Sequence, residues 1–489
     1  MLKNNGFHNR HSPFSRPFSP ASFFANGEQG WWYDPSNFST LYQDSAGTTP
    51  VTAVEQPVGL QLDLSKGLVL GPELVTNGDF SNGTTGWVDA STAPGTFTAS
   101  SGAGVLSANG GTARARQSLT TVANRYYKIT FQFTSSGGSR TCFNVGSTAG
   151  ASDVLGNRTI DTGSISFIVL AVSTTTWLNF FTQAGSDVLT IDNVSTKELP
   201  GNHRFQSTSA NRPVVSARVN LFVGTATLAT QSVTTRSTAH TLTFTGAGSI
   251  TLTGTAVGVY TAGTYSVTTT AGTLTATVLG TVTQADLRET NVGVGLPAYQ
   301  AVVTSTNYDS VGFPTYIKPN GSNQFMVTNS INFSATDKMT LWQGVRKLSD
   351  ASQRVVAELS ASIAANNGTF LLTAPNSAAA NYNFASKGTT QVDNIVTTYT
   401  SPITNVLVAA GDISGPVNSV KVNGGAATTV TSSQGTGNYG TYPAYFYARA
   451  GTSLHFSGHD YGSIARGAAS TAAQITDGET YINSKTKAY

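Results

Sequence analysis

Tyr127-Lys128-Ile129-Thr130-Phe131-Gln132-Phe133 alternates apolar and polar residues without a break. Successive side chains of a strand point to opposite faces, so Tyr127, Ile129, Phe131 and Phe133 share a core-facing side. Tyr126 precedes the run and is out of phase with it. It is expected on the opposite, accessible face with Lys128 and Gln132. The same period returns where Leu242 and Phe244, Ile250 and Leu252, and Leu274, Ala276 and Val278 alternate with Thr or Ser between Gly-containing turns. These runs predict an all-β chain built from several antiparallel β-sandwiches.

Composition narrows the function. The 489 residues suffice for about three domains. Charged residues make up 10%, and Gly, Ser and Thr are abundant, so hydroxyls replace charges on the surface. The net charge of +3 is spread along the chain, which argues against a nucleic-acid partner. No apolar run approaches the ~20 residues of a membrane span, and no secretory leader opens the chain, so membrane insertion is not expected. Cys142 has no second cysteine to pair with and reads as a packed strand residue.

Two separated stretches look like one interrupted motif. Trp32-Tyr33-Asp34-Pro35, Gln43-Asp44-Ser45-Ala46-Gly47-Thr48-Thr49-Pro50-Val51 and Leu62-Asp63-Leu64-Ser65-Lys66-Gly67 lead towards Gly201-Asn202-His203 and Gln206-Ser207-Thr208-Ser209-Ala210-Asn211-Arg212-Pro213. Joined, they resemble a segment of bacteriophage virion surface proteins of the fibre or decoration type. Further on, Tyr316-Ile317-Lys318-Pro319-Asn320-Gly321 and Val420-Lys421-Val422-Asn423-Gly424-Gly425 are similar to parts of laminin-G and concanavalin-A-like sandwiches. The resemblance implies a parent sandwich with modules inserted in its loops, where added length costs little closure entropy. The parent is expected over 31–68, 201–219 and 299–489, with insertions over 69–200 and 220–298. A C-terminal helix is expected from Ser470 as cap, with Ala472, Ile475, Glu479 and Ile482 on one face.

The first insertion opens with Asn77-Gly78-Asp79-Phe80 and Gly86-Trp87 and closes with Asp192-Asn193-Val194. It resembles the jelly-roll carbohydrate-binding modules attached to glycan-degrading enzymes. That resemblance implies a sugar stacked on an aromatic ring, for which Tyr126 is selected with Lys128 and Gln132 beside it. Trp87 is expected to pack inward. The resemblance also brings a structural calcium near Asp79 and Asp192; the competing reading is that both only cap turns. No other cofactor is expected.

Residues 1–30 form a Pro- and Phe-rich arm. Three prolines between Pro13 and Pro20 oppose a helix, and five phenylalanines precede residue 25. Phe14, Phe18, Phe23 and Phe24 are expected to dock in a neighbouring subunit and so anchor the chain to other virion proteins, with the chain itself a homo-oligomer.

Catalysis finds little support. The Glu-x-Asp-x-x-Glu pattern of concanavalin-like glycosidases is missing, and Asp286 with Glu289 and Asp477 with Glu479 read as solvated charge. His455 and His459 read as exposed, too few for a metal. The expectation is a non-enzymatic virion structural protein, made in the host cytoplasm and carried on the particle surface, that contacts host-surface polysaccharide. A purely structural decoration or head-fibre protein and a polysaccharide depolymerase are the alternatives.

Overall fold

The computed structural model describes residues 18–183 and 185–489. Every named strand pairing is antiparallel, and the one α-helix among the described residues is Ala472–Thr486. The fold is all-β.

Two large sheets form the parent sandwich. The first runs through Val214–Ser216, Tyr316–Lys318, Gly458–Arg466, Lys338–Lys347, Ile403–Asp412, Val417–Val422 and Thr428–Val430, with Gly30–Tyr33 also paired to Gly458–Arg466. The second, nine-stranded sheet extends from Leu41–Tyr42 through Leu60–Gln61 and Arg204–Phe205 to Gln391–Thr397. Trp31, Tyr33, Leu341, Phe370, Phe384 and Phe446 fill the space between them. Buried in this core, Arg204 pairs with Asp460 at 2.9 Å and lies 4.5 Å from the centre of the Tyr33 ring.

The first sheet is apolar on its outer face too, because Trp342, Val406, Val408 and Ile464 point away from the main core. The helix Ala472–Thr486 covers part of that face through Ile482, and the 3-10 turn Pro20–Phe24 covers another part through Phe23 and Phe24. Phe23 stacks on Trp342 at 4.7 Å. The expected docking of Phe23 and Phe24 in a neighbouring subunit is therefore corrected, since both rings are buried in their own chain. Phe18 stays 36% exposed beside Phe23, and Phe14 lies outside the described residues. The helix is capped by Thr471, not Ser470. The Thr471 hydroxyl accepts from Gln474 N–H and the Gln474 side chain accepts from Thr471 N–H.

A five-stranded sheet of Gly163–Leu170, Tyr126–Ser135, Val188–Leu199, Ala103–Ser107 and Thr96–Ser100 forms one half of a second sandwich. Its partner sheet runs Leu155–Ile160, Arg140–Gly146, Thr175–Phe181, Arg114–Thr120, Val88–Asp89. Between them lie Tyr127, Ile129, Phe131 and Phe133 with Phe143, Leu178 and Phe180. Trp87 packs inward against Phe80 at 5.3 Å. A third, smaller sheet joins Gln231–Thr235, Gly272–Leu279, Thr238–Gly254, Gly258–Thr269 and Thr283–Glu289 around Phe244, Ile250 and Leu252.

The chain leaves and re-enters the parent at neighbouring points. Arg204 and Phe205 pair in register with Gln61 and Leu60. The buried Asp63 carboxylate accepts from Trp32 N–H and Ser65 N–H, each at 2.8 Å, and from Asn202 N–H at 2.7 Å. Asp63 N–H donates to His203 Nδ1 at 2.8 Å, and His203 Nε2–H donates to the Leu199 carbonyl at 3.1 Å. Burial raises the pKa of Asp63 despite these donors, and it pulls that of His203 down to about 4.

Of the acidic residues read as solvated charge, Asp477 is exposed as expected, and the other three are corrected. Asp286, Glu289 and Glu479 are buried, and Arg288, Arg346 and Lys421 pair with them. His459 is stacked flat on Tyr316 at 3.8 Å instead of lying exposed. Arg288 is only two residues from Asp286, but sequence alone could not locate the cations of the other two acids, because Arg346 is 57 residues from Glu289 and Lys421 is 58 from Glu479.

Candidate functional site

Tyr126 does lie opposite the core face, as its phase requires, but that face is covered. It is 3% exposed and packs with Ile168 and Leu199 against Leu60 and Leu62 of the parent, edge-on to His203 at 4.9 Å. The expected sugar-stacking surface at Tyr126 is thus corrected: the ring is part of a junction between two sandwiches. Lys128 is half-buried, while the exposed Gln132 donates to Ser164 Oγ at 2.8 Å, so the three residues do not make a common site.

Beside this junction lies a cleft of about 700 Å³ bordered by Arg125, Glu198, Asn202, His203 and Asn329. Its polar groups are mostly committed to one another. Arg125 pairs with Glu198 at 2.7 Å, Asn202 donates to the Gly30 carbonyl at 2.6 Å, and Asn329 donates to the Asn124 carbonyl at 2.8 Å. The cleft is better understood as the polar rim of the junction.

The other sheet of the second sandwich presents a different arrangement. Strand Thr175–Phe181 pairs on one side with Arg114–Thr120, which sets Phe181 opposite Arg114, Asn179 opposite Arg116 and Trp177 opposite Ser118. On its other side Asn179 faces Asn144 and Trp177 faces Gly146. Cross-strand partners share a face, and Leu178 and Phe180 occupy the core side, so these residues form one outward-facing polar and aromatic field. Trp177 and Phe181 are half-buried.

This field contains a cavity of about 240 Å³ lined by Arg114, Arg116, Asn144, Asn157, Asn179 and Ser152, among others. Its floor is a chain of amides. Asn144 donates to Asn157 Oδ1 at 2.8 Å, and Asn179 donates to Asn144 Oδ1 at 2.8 Å and to the Ala151 carbonyl at 3.1 Å. Gly150 N–H donates back to Asn179 Oδ1 at 2.9 Å, which fixes the 147–154 loop over the sheet. Ser147 closes that loop on Asp153 through bonds of 2.9 and 2.6 Å. Gly150 sits at φ +81°, a left-handed backbone conformation that calls for glycine.

Arg125 and Arg140 have Glu198 and Asp187 as partners, whereas among the described residues Arg114 and Arg116, like Arg158 on the edge strand of the same sheet, are in no ion pair. Arg116 Nε is buried without a hydrogen-bond partner. Burial, followed by repulsion from Arg114, lowers the pKa of Arg116. A side chain that is half-buried, cationic and unmatched on a rigid floor is prepared to receive an acceptor.

Asp79 and Asp192 are each engaged locally. Asp79 accepts from Ser81 N–H at 3.2 Å and Ser81 Oγ at 2.9 Å, and Asp192 accepts from Asn193 N–H at 2.6 Å. Among the described residues no group of three or more His, Cys, Asp or Glu side chains is placed to hold a metal. Sequence reasoning passed over Arg114, Arg116, Asn144, Asn157 and Asn179. The available signal was Trp177, whose phase with Asn179 and Phe181 would have marked the outer face of that strand.

No family model matches the chain, and no curated protein matches it. Among solved structures, the carbohydrate-binding module CBM40 of the Ruminococcus gnavus IT-sialidase bound to α2,3-sialyllactose is 13% identical, with 29% of this chain and 82% of that one covered and a TM-score of 0.25. A structure described as CBM4 is 12% identical, covering 25% of this chain and 99% of that one at a TM-score of 0.22. The binding domain of Botulinum neurotoxin serotype D is 8% identical, covering 35% and 42% at a TM-score of 0.29.

Proposed function

We propose that the first insertion is a saccharide-binding module and that its binding face is the field around Asn179 and Arg116. The observation that carries this reading is the preorganised amide floor, with Arg114 and Arg116 uncommitted above it and Trp177 and Phe181 on the same strand face. A sugar offers hydroxyls that both donate and accept and an apolar ring face that stacks on aromatics; this surface supplies a complement to each. The cavity is smaller than the ~300–1,000 Å³ typical of drug-sized sites, which suits one sugar unit of a longer chain held end-on or across the face.

Binding, not hydrolysis, is the activity assigned. The buried acids Asp286, Glu289, Glu358 and Glu479 are each neutralised by an adjacent cation and serve the packing of the sandwiches. In the wider setting, the chain is a surface protein of a phage particle that contacts host polysaccharide. That setting draws its support from the interrupted motif and from the charge-poor, hydroxyl-rich composition.

The test is a glycan array probed with the full chain and with Asn179→Ala and Trp177→Ala. Binding that is lost in both variants, each still unfolding cooperatively although Asn179→Ala melts lower for want of the bonds that hold the 147–154 loop, is the expected result. Equal binding by all three proteins would move the site elsewhere, and no binding by the native chain across the array would favour a purely structural role.

A further inference from the structure

Building on the saccharide-binding reading, we infer that the ligand is acidic: a saccharide whose carboxylate is received by Arg116 and Arg114. The lining of the cavity holds two guanidinium groups and no carboxylate. A neutral sugar would leave both cations unmatched and would further desolvate the half-buried Arg116, whose Nε already lacks an acceptor. A planar carboxylate supplies two acceptors to the fork of a guanidinium, and that geometry suits arginine over lysine.

Position supports the same chemistry. Arg116 is opposite Asn179 and Arg114 is opposite Phe181, so the two cations are side by side along one strand at i and i+2. Two like charges at that spacing repel, and the Asn179–Asn144–Asn157 floor beside them carries no charge to offset it. An anion bound between them relieves the repulsion. The field is therefore best matched to a ligand that brings negative charge together with hydroxyls, and a uronic acid unit in a polysaccharide has both.

The experiment is a calorimetric titration of the full chain with three probes: oligogalacturonate, the same oligomer with its carboxyls reduced to alcohols, and a sulfated neutral oligosaccharide. Oligogalacturonate should bind at least tenfold more tightly than the reduced oligomer and should weaken as salt is raised. Arg116→Gln should abolish that preference while keeping the thermal midpoint, and Arg116→Lys should recover only part of it. Reduced oligomer binding as well as the acid, with Asn179→Ala still destructive, would overturn the acidic inference and leave the saccharide reading standing. Preference for the sulfated probe over oligogalacturonate would overturn the carboxylate assignment. No binding of any probe by the native chain would overturn the acidic inference, and the saccharide reading would then stand or fall on the glycan array.

Discussion

At the scale of single residues, Tyr126 and His203 show how much one junction depends on two rings. Tyr126→Ala should cost about 2–4 kcal/mol, because it empties a buried aromatic site between the sandwiches. Denaturant titration of variant and native chain checks this, and a loss near zero would place the ring at a wet, loosely packed contact. His203 gives the junction a pH dependence. Its folded pKa of about 4 lies below its ordinary 6.5, so over that interval the unfolded chain binds more protons than the folded one. Its share of stability is complete above 6.5, falls as the pH drops to about 4, and levels off below. The unfolding midpoint of His203→Gln should therefore change less between pH 7 and pH 4 than that of the native chain.

Elements carry the next set of consequences. The turn Pro20–Phe24 is a structural part of the parent sandwich, and Phe23→Ala should destabilise by about 3–5 kcal/mol through the gap left on Trp342. Thermal unfolding monitored by tryptophan fluorescence would detect both the loss and the altered environment of Trp342. An unchanged midpoint would mean that the helix Ala472–Thr486 alone protects that face. Elements also mark where sequence reading works. Strand Tyr126–Ser135 was legible because one of its faces meets a core and the other is polar over most of its length. Strand Lys338–Lys347 was not, since it is buried on both faces between the main core and the helix, and no alternation survives in it. Arg116 escaped notice for a related reason: only the register of Arg114–Thr120 against Thr175–Phe181 reveals that it stands next to Asn179.

On the scale of the whole molecule, nested connectivity makes a testable claim about autonomy. Excising residues 69–200 and joining Leu68 to Gly201 leaves intact the pairing of Leu60–Gln61 with Arg204–Phe205 and the donors that surround Asp63. The shortened chain should fold, as read by circular dichroism and a cooperative melt, though with Leu62 newly exposed where Tyr126 and Leu199 had covered it. Failure to fold would show that the parent depends on its insertion. The joined ends at Asp63 have a mechanical meaning as well. A load applied to the inserted sandwich reaches the parent through two covalent tethers that arrive side by side, so neither strand is peeled from its sheet on its own. The force is shared at one hydrogen-bonded node, and the module is held like a handle fixed at both of its feet.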